Sequence, residues 1–313
     1  MTAFLIITAI CLFVILIASS ICFYRIFYSP KRKPKTDGEI EIPVGEIYEV
    51  HRPQLEKWII EARERPHREV EIKSFDGLTL RGKYYEYAPD APIELMMHGY
   101  QGNGERDMSG GIYRAARLGH SALVIDHRAS GRSDGSVISF GINESRDCIS
   151  WVGFILSDIN KDARIILTGI SMGASTALIT SGKELPKNVV GVLADCGYTS
   201  AKDIIKKVIR DMKLPANLLY PFAKLGAKLF GGFDLDETSP IEAVKRSKLP
   251  TIFFHGDNDA FVPHYMSEEN YEACAAPKKL VIIKGAGHGL AFPIDQELYI
   301  KEAQNFFREH IEY

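Results

Sequence analysis

Six short runs of nearly continuous apolar residues limit the folds open to this chain: 93–97, 121–125, 164–168, 189–194, 251–254 and 280–283. Stretches with helical periodicity separate them, over 105–118, 143–157, 172–182, 265–275 and 294–310. A strand with one wet face alternates apolar and polar residues, whereas a strand buried on both faces does not. The pattern therefore predicts an α/β protein with a mostly parallel central sheet and helices on both faces. Upstream, REVEIKSFDGLTLRGKYYEY alternates in character around Asp76-Gly77 and predicts an antiparallel hairpin.

One interval breaks the rhythm. More than fifty residues separate the run ending at Ala194 from the run starting at Thr251. A single crossover needs far fewer. Helical segments near 202–212 and 218–230, with Pro215 and Pro221 as expected breaks, predict a small helical lid at about 198–248. Such a lid stands at the carboxyl edge of a parallel sheet, where ligands bind. A structural insertion without a role in selectivity is the competing reading.

Residues 3–24 contain no charged side chain. About 20 such residues span the hydrocarbon core of a bilayer, so residues 1–28 are expected to form a transmembrane helix that contacts lipid. A cleaved signal peptide competes, but it usually carries a positive n-region, which Met1-Thr2 does not supply. Arg25, Lys31, Arg32, Lys33 and Lys35 follow the run, so that flank and the domain after it are expected in the cytoplasm. Residues 29–67 read as a stalk rich in Pro and Gly, then an amphipathic helix over 46–64 with Ile47, Val50, Leu55, Trp58 and Ile59 on one side. Residues 68–313 form the main domain.

Gly169-Ile170-Ser171-Met172-Gly173 follows the run RIILT and opens a helical stretch. In the strand–turn–helix context, G-x-S-x-G holds a serine hydroxyl clear of the backbone, and the two glycines let strand and helix approach. A serine hydroxyl is a weak nucleophile until a base removes its proton, so Ser171 requires a histidine.

From residue 68 onward the chain resembles the α/β-hydrolase superfamily, and most closely its membrane-anchored bacterial esterase, lipase and serine-aminopeptidase-like hydrolases. His98-Gly99-Tyr100-Gln101-Gly102 resembles the H-G-x-x-G oxyanion loop. DHRASGRSDG, 126–135, resembles the D-x-R-G-x-G-x-S loop, with Ala129 where a glycine is usual. His255-Gly256-Asp257-Asn258-Asp259 resembles the segment that carries the catalytic acid, and Gly285-Ala286-Gly287-His288 the one that carries the histidine. The order Ser, Asp, His is the one this fold uses.

The resemblance implies roles. Ser171 is the nucleophile, His288 the general base and Asp259 the acid that orients it. Asp257 is assigned to the turn, and Asp195 to a structural or pocket role. Backbone N–H groups of Tyr100 and Met172 are the expected oxyanion donors. His98, Gly99, Gly169 and Gly173 shape the loops, and His255 is read as structural like His98. His51, His67, His120, His127, His264 and His310 show no ligand spacing, so no metal and no cofactor is expected.

The five cysteines form no paired spacing, and a net charge of −2 without a basic stripe gives nucleic acid no footing. The implied activity is carboxylic ester hydrolysis of a small-molecule substrate through an acyl-enzyme. Peptidase or amidase action, acyl transfer, and a silent membrane-tethered binding module remain alternatives.

Overall fold

The structure is a computed structural model that describes residues 1–30 and 39–311. Lys31, Arg32, Lys33, Pro34, Lys35 and Gly38, which carry most of the basic flank and part of the expected stalk, lie outside the described residues.

The apolar runs become strands. The expected hairpin is β1, Arg68–Lys73, and β2, Thr79–Tyr85. Gly77 at its turn has φ +92°, a conformation that glycine adopts without a steric penalty. There follow β3, Ile93–Met97; β4, Ser121–Ile125; β5, Ile165–Ile170; β6, Val189–Asp195; β7, Thr251–Gly256; and β8, Lys278–Ile283. They form one sheet in the order β1-β2-β4-β3-β5-β6-β7-β8. The β1–β2 and β2–β4 pairs are antiparallel and all later pairs are parallel. Every residue of β3, β4 and β7 is buried, as two covered faces require.

Helices cover both faces. On the main domain they are α3, Arg52–Glu64; α4, Gly104–Leu118; α5, Ile142–Phe154; α6, Met172–Ser181; α10, Tyr265–Ala273; and α12, Gln296–His310. The short α2, Glu46–Glu49, and α11, Ala291–Ile294, flank them. Asn103 caps α4 by accepting from the Arg106 N–H at 2.8 Å, and Asp295 caps α12 by accepting from Leu298 at 3.0 Å.

Two local expectations fail. The predicted single helix over 46–64 is broken between α2 and α3. Pro53 lacks an N–H and its ring clashes with the carbonyl four residues back, so a new helix starts with Pro53 in its first turn. Ile47 and Val50 are exposed as a result, while Trp58 and Ile59 reach the core. Pro221, expected as a break, instead lies inside a helix. The carbonyl it leaves unpaired belongs to exposed Asn217, and burial of Tyr220 and Ala223 holds the helix together.

The long interval after β6 holds α7, Ala201–Asp211; α8, Ala216–Gly226, extended by a π-helical turn Ala227–Gly231; and α9, Pro240–Val244. The apolar N-terminal run is α1, Thr2–Ile26, long and apolar enough to cross a membrane. Its first half is exposed, but its end is built into the protein. Phe23 and Phe27 share a buried apolar cluster with Met172, Ile204, Ala223 and Phe233.

Candidate active site

In the sheet order, β4 and β5 lie on opposite sides of β3, so the chain reverses direction of winding there. That reversal opens a crevice beyond the carboxyl ends of β3 and β5. Ser171 sits at the tip of β5, between strand and α6, with φ +55° and ψ −116°. A non-glycine residue in that region is strained and persists only where its surroundings hold it. Its N–H donates to the Asp195 carbonyl at 2.8 Å, and its carbonyl accepts from Ser175 at 3.0 Å. The flanking glycines are needed sterically. A Cβ on Gly169 would fall 2.2 Å from the Gly173 carbonyl carbon, and one on Gly173 only 2.0 Å from the Met97 carbonyl oxygen.

His288, on the loop after β8, reaches the serine. Its Nε2 lies 3.0 Å from Ser171 Oγ and its Nδ1 lies 2.7 Å from Asp259 Oδ2. Asp259, on the loop after β7, is fully engaged. Oδ1 accepts from the N–H groups of Phe261 and Val262 at 2.9 and 2.8 Å. Oδ2 also faces His255 Nε2 at 3.2 Å. Burial alone would raise this carboxyl, but the hydrogen bonds and charge of His255 and His288 outweigh it and hold Asp259 well below the usual carboxylate range. It is therefore anionic at neutral pH.

The rival aspartates do other things. Asp257 Oδ1 accepts from Gly285 N–H at 2.6 Å, tying the acid loop to the histidine loop. Asp195 accepts from Tyr299 Oη at 3.0 Å, and burial pushes it up to about 6.

His98 is fully buried, with Nδ1 2.7 Å from the Gly99 carbonyl and Nε2 accepting from His127 N–H at 3.0 Å. Both nitrogens are thus spent on the loop. Gly99 brings that loop against Ser171, since a Cβ placed there would lie 3.6 Å from Ser171 Cβ. Tyr100 follows. Its hydroxyl donates to the Ile26 carbonyl at the end of α1, at 2.7 Å. Met172 opens α6, where the first N–H groups of a helix have no intrahelical acceptor. Ala129, in the place of the usual glycine, takes φ +59°, the left-handed conformation that explains the glycine preference there. Asp126 holds that loop by accepting from Gly104 and Arg132 N–H groups at 2.8 and 3.0 Å.

Three contacts had no sequence signal or a weak one. Tyr48 of α2 donates to the His288 carbonyl at 2.9 Å, bracing the histidine loop from outside the main domain. The link from Tyr100 to α1 is the second. The third is His255 on Asp259, for which the spacing of four residues was the available hint. Cys196 lies beside the pair, its sulfur grouped with Asp259 and His288 atoms within 4.8 Å. Burial pushes that thiol well up, and Nδ1 and Oδ2 are occupied with each other, so the thiol flanks a hydrogen-bonded His288–Asp259 pair.

A cavity of about 60 Å³ lies under the elbow between Trp58, Asp195 and Phe292. Ile170 and Gly289, the chain neighbours of Ser171 and His288, are among its lining residues.

No family model matches the chain. The esterase PF2001 of Pyrococcus furiosus superposes with a TM-score of 0.67 at 22% identity, over 87% of this chain and 97% of that one. This chain has the α/β-hydrolase fold. By sequence it is similar to the uncharacterised protein YqkD of Bacillus subtilis, 29% identical over 75% of this chain and 77% of that protein. An uncharacterised protein of Mycobacterium tuberculosis strain H37Rv is 24% identical over 95% of this chain and 93% of its own length.

Proposed function

We propose that this protein is a serine hydrolase that cleaves carboxylic esters through Ser171, His288 and Asp259. The observation that carries the reading is His288 bridging Ser171 Oγ and Asp259 Oδ2 with its two ring nitrogens, at 3.0 and 2.7 Å. Ser171 Oγ attacks the ester carbonyl carbon while its proton passes to Nε2. The carbonyl electron pair becomes an oxyanion facing the N–H groups of Met172 and Tyr100. Collapse breaks the bond to the alcohol, which leaves with the proton from Nε2. Water, deprotonated by the same nitrogen, then frees the acid and restores Ser171. Asp259 keeps the Nδ1 proton in place and stabilises the imidazolium; its protein N–H partners and His255 hold it in that pose.

Labelling by a fluorophosphonate probe tests the assignment. The full-length chain should label, and Ser171→Ala should not, with ester turnover falling roughly 10⁴- to 10⁶-fold. Unchanged labelling of the variant would assign the reactivity to another serine.

The same proposal has α1 anchoring the protein in a bilayer, with the insertion after β6 acting as a lid and the site on the cytoplasmic side, where basic flanks are retained. Protease added to intact spheroplasts should leave the main domain whole. Its digestion without lysis would reverse the orientation.

A further inference from the structure

The lid is apolar on the wrong side for a water-facing element. In α8 and the turn after it, Ala216, Tyr220, Ala223 and Ala227 form the buried stripe. A second stripe at the same spacing, Leu218, Phe222, Leu225 and Leu229, lies outside it; its middle pair is half-buried and its ends are 61% and 54% exposed. A helix apolar nearly all round needs cover on both faces.

The end of α1 shows what is beside it. Gly226 meets α1 so closely that a Cβ would stand 2.4 Å from the Ser19 carbonyl oxygen. The rings of Phe23 and Phe230 are 5.7 Å apart. Of the 25 residues of α1, about 20 cross the hydrocarbon. In any such register Ser19 lies inside the span and Phe23 lies within about one helical turn of its edge. The outer end of α8 therefore shares that depth.

Charge agrees. Between Lys202 and Lys228 there are seven basic and two acidic side chains, in a chain of net charge −2. Lys207 and Lys224 are held by Asp211 and Asp236, but Arg210, Lys213 and Lys228 are exposed beside exposed Met212, Leu214 and Phe230. Exposed basic and large apolar side chains mixed along one segment suit the headgroup boundary of an anionic bilayer.

We propose that the lid docks on an anionic phospholipid bilayer alongside α1, and that the Ser171 site takes long-chain acyl esters resident in that bilayer. The second half rests on the hydrolase reading above. Tyr100 and Met172 belong to or pack on the cluster that contains Phe23 and Phe27, so the docked surface and the reacting centre are two sides of one apolar layer.

The test uses the full-length chain in phosphatidylcholine vesicles containing phosphatidylglycerol. Leu229→Trp should gain emission that brominated phosphatidylcholine quenches; added emission that stays unquenched overturns the docking. The double variant Leu218→Glu/Leu229→Glu should lose at least about tenfold in turnover of a bilayer-dissolved oleoyl umbelliferyl ester. Its turnover of soluble umbelliferyl acetate should stay within about twofold of the parent. Loss confined to the oleoyl ester supports delivery from the bilayer, and equal behaviour on both esters overturns it. Failure of the hydrolase reading looks different: the parent chain itself would turn over neither ester, while the quenching would be unaffected.

Discussion

Asp259 and Asp257 are two residues apart on one loop and do different work. Asp259 accepts from two backbone N–H groups and faces two imidazoles, whereas Asp257 accepts from one backbone N–H of the neighbouring loop. Asp259→Asn should lower kcat by about 10⁴, because an amide permits the wrong histidine tautomer. Asp257→Asn keeps an acceptor for Gly285 and should cost less than about tenfold; steady-state kinetics on a soluble ester compares them. Asp195 carries a separate pH signature. Burial, opposed by the charge of His255 and the Tyr299 hydrogen bond, raises it to about 6. Folding favours protonation of this carboxyl, so its contribution is fully present below the ordinary aspartate range and lost as pH rises through about 6. Asp195→Asn removes that dependence. Urea unfolding at pH 4.5 and 7.5 should show the variant gaining on the parent by on the order of 1–3 kcal/mol over that interval.

Glycines show how elements are brought together. Gly153 in α5 has open space where a Cβ would go, and Gly226 has the Ser19 carbonyl oxygen at 2.4 Å. Gly153→Ala should raise stability by about 0.4–1 kcal/mol, since alanine restricts the unfolded chain and suits a helix. Gly226→Ala should lower it by about 1–3 kcal/mol, because α1 or α8 must shift. Thermal unfolding of the full-length chain in detergent reads both signs. The elbow follows the same logic more severely, with Gly173 against β3 backbone. By contrast, α3 is seated by a side chain: Trp58 stacks on Tyr113 and Phe292, with ring centroids 5.8 and 5.3 Å away.

At the scale of the whole molecule, α1 is part of the hydrolase body as well as a candidate membrane span. Phe27 is fully buried, its ring edge-on to Phe140 and Phe233 at 5.7 and 5.4 Å. The chain just beyond it is stitched on by backbone hydrogen bonds, Ile138 N–H to the Phe27 carbonyl and Ser29 N–H to the Ser136 carbonyl, each 2.8 Å. Removing residues 1–28 also removes the Ile26 carbonyl that accepts from Tyr100. A chain without them should lose roughly 10- to 100-fold in kcat/KM even on a soluble short-chain ester, since small misplacement of the loop proposed to hold the oxyanion is costly. A helix serving only as a tether would leave that rate unchanged.

Local pattern by itself determined the parallel sheet, because strands buried on both faces must be apolar at successive positions. It also determined the hairpin at Asp76-Gly77 and the elbow at Ser171, whose glycines are dictated by close backbone contacts within a few residues of chain. The order of motifs pointed to Asp259 and His288, and in the structure His288 lies between Ser171 and Asp259, one ring nitrogen on each. Only the tertiary structure decided what depends on distant partners. Glu94 interrupts an apolar run yet is wholly buried, because Arg114 comes from elsewhere to pair with it and His120 to hydrogen-bond it. Pro221 stays helical because tertiary burial overrides a local preference. Tyr48 reaches the His288 loop across 240 residues of sequence and Ile26 reaches Tyr100 across 74, contacts that leave no periodicity to read. Periodicity records which face of an element is dry; the neighbour that dries it is chosen by packing.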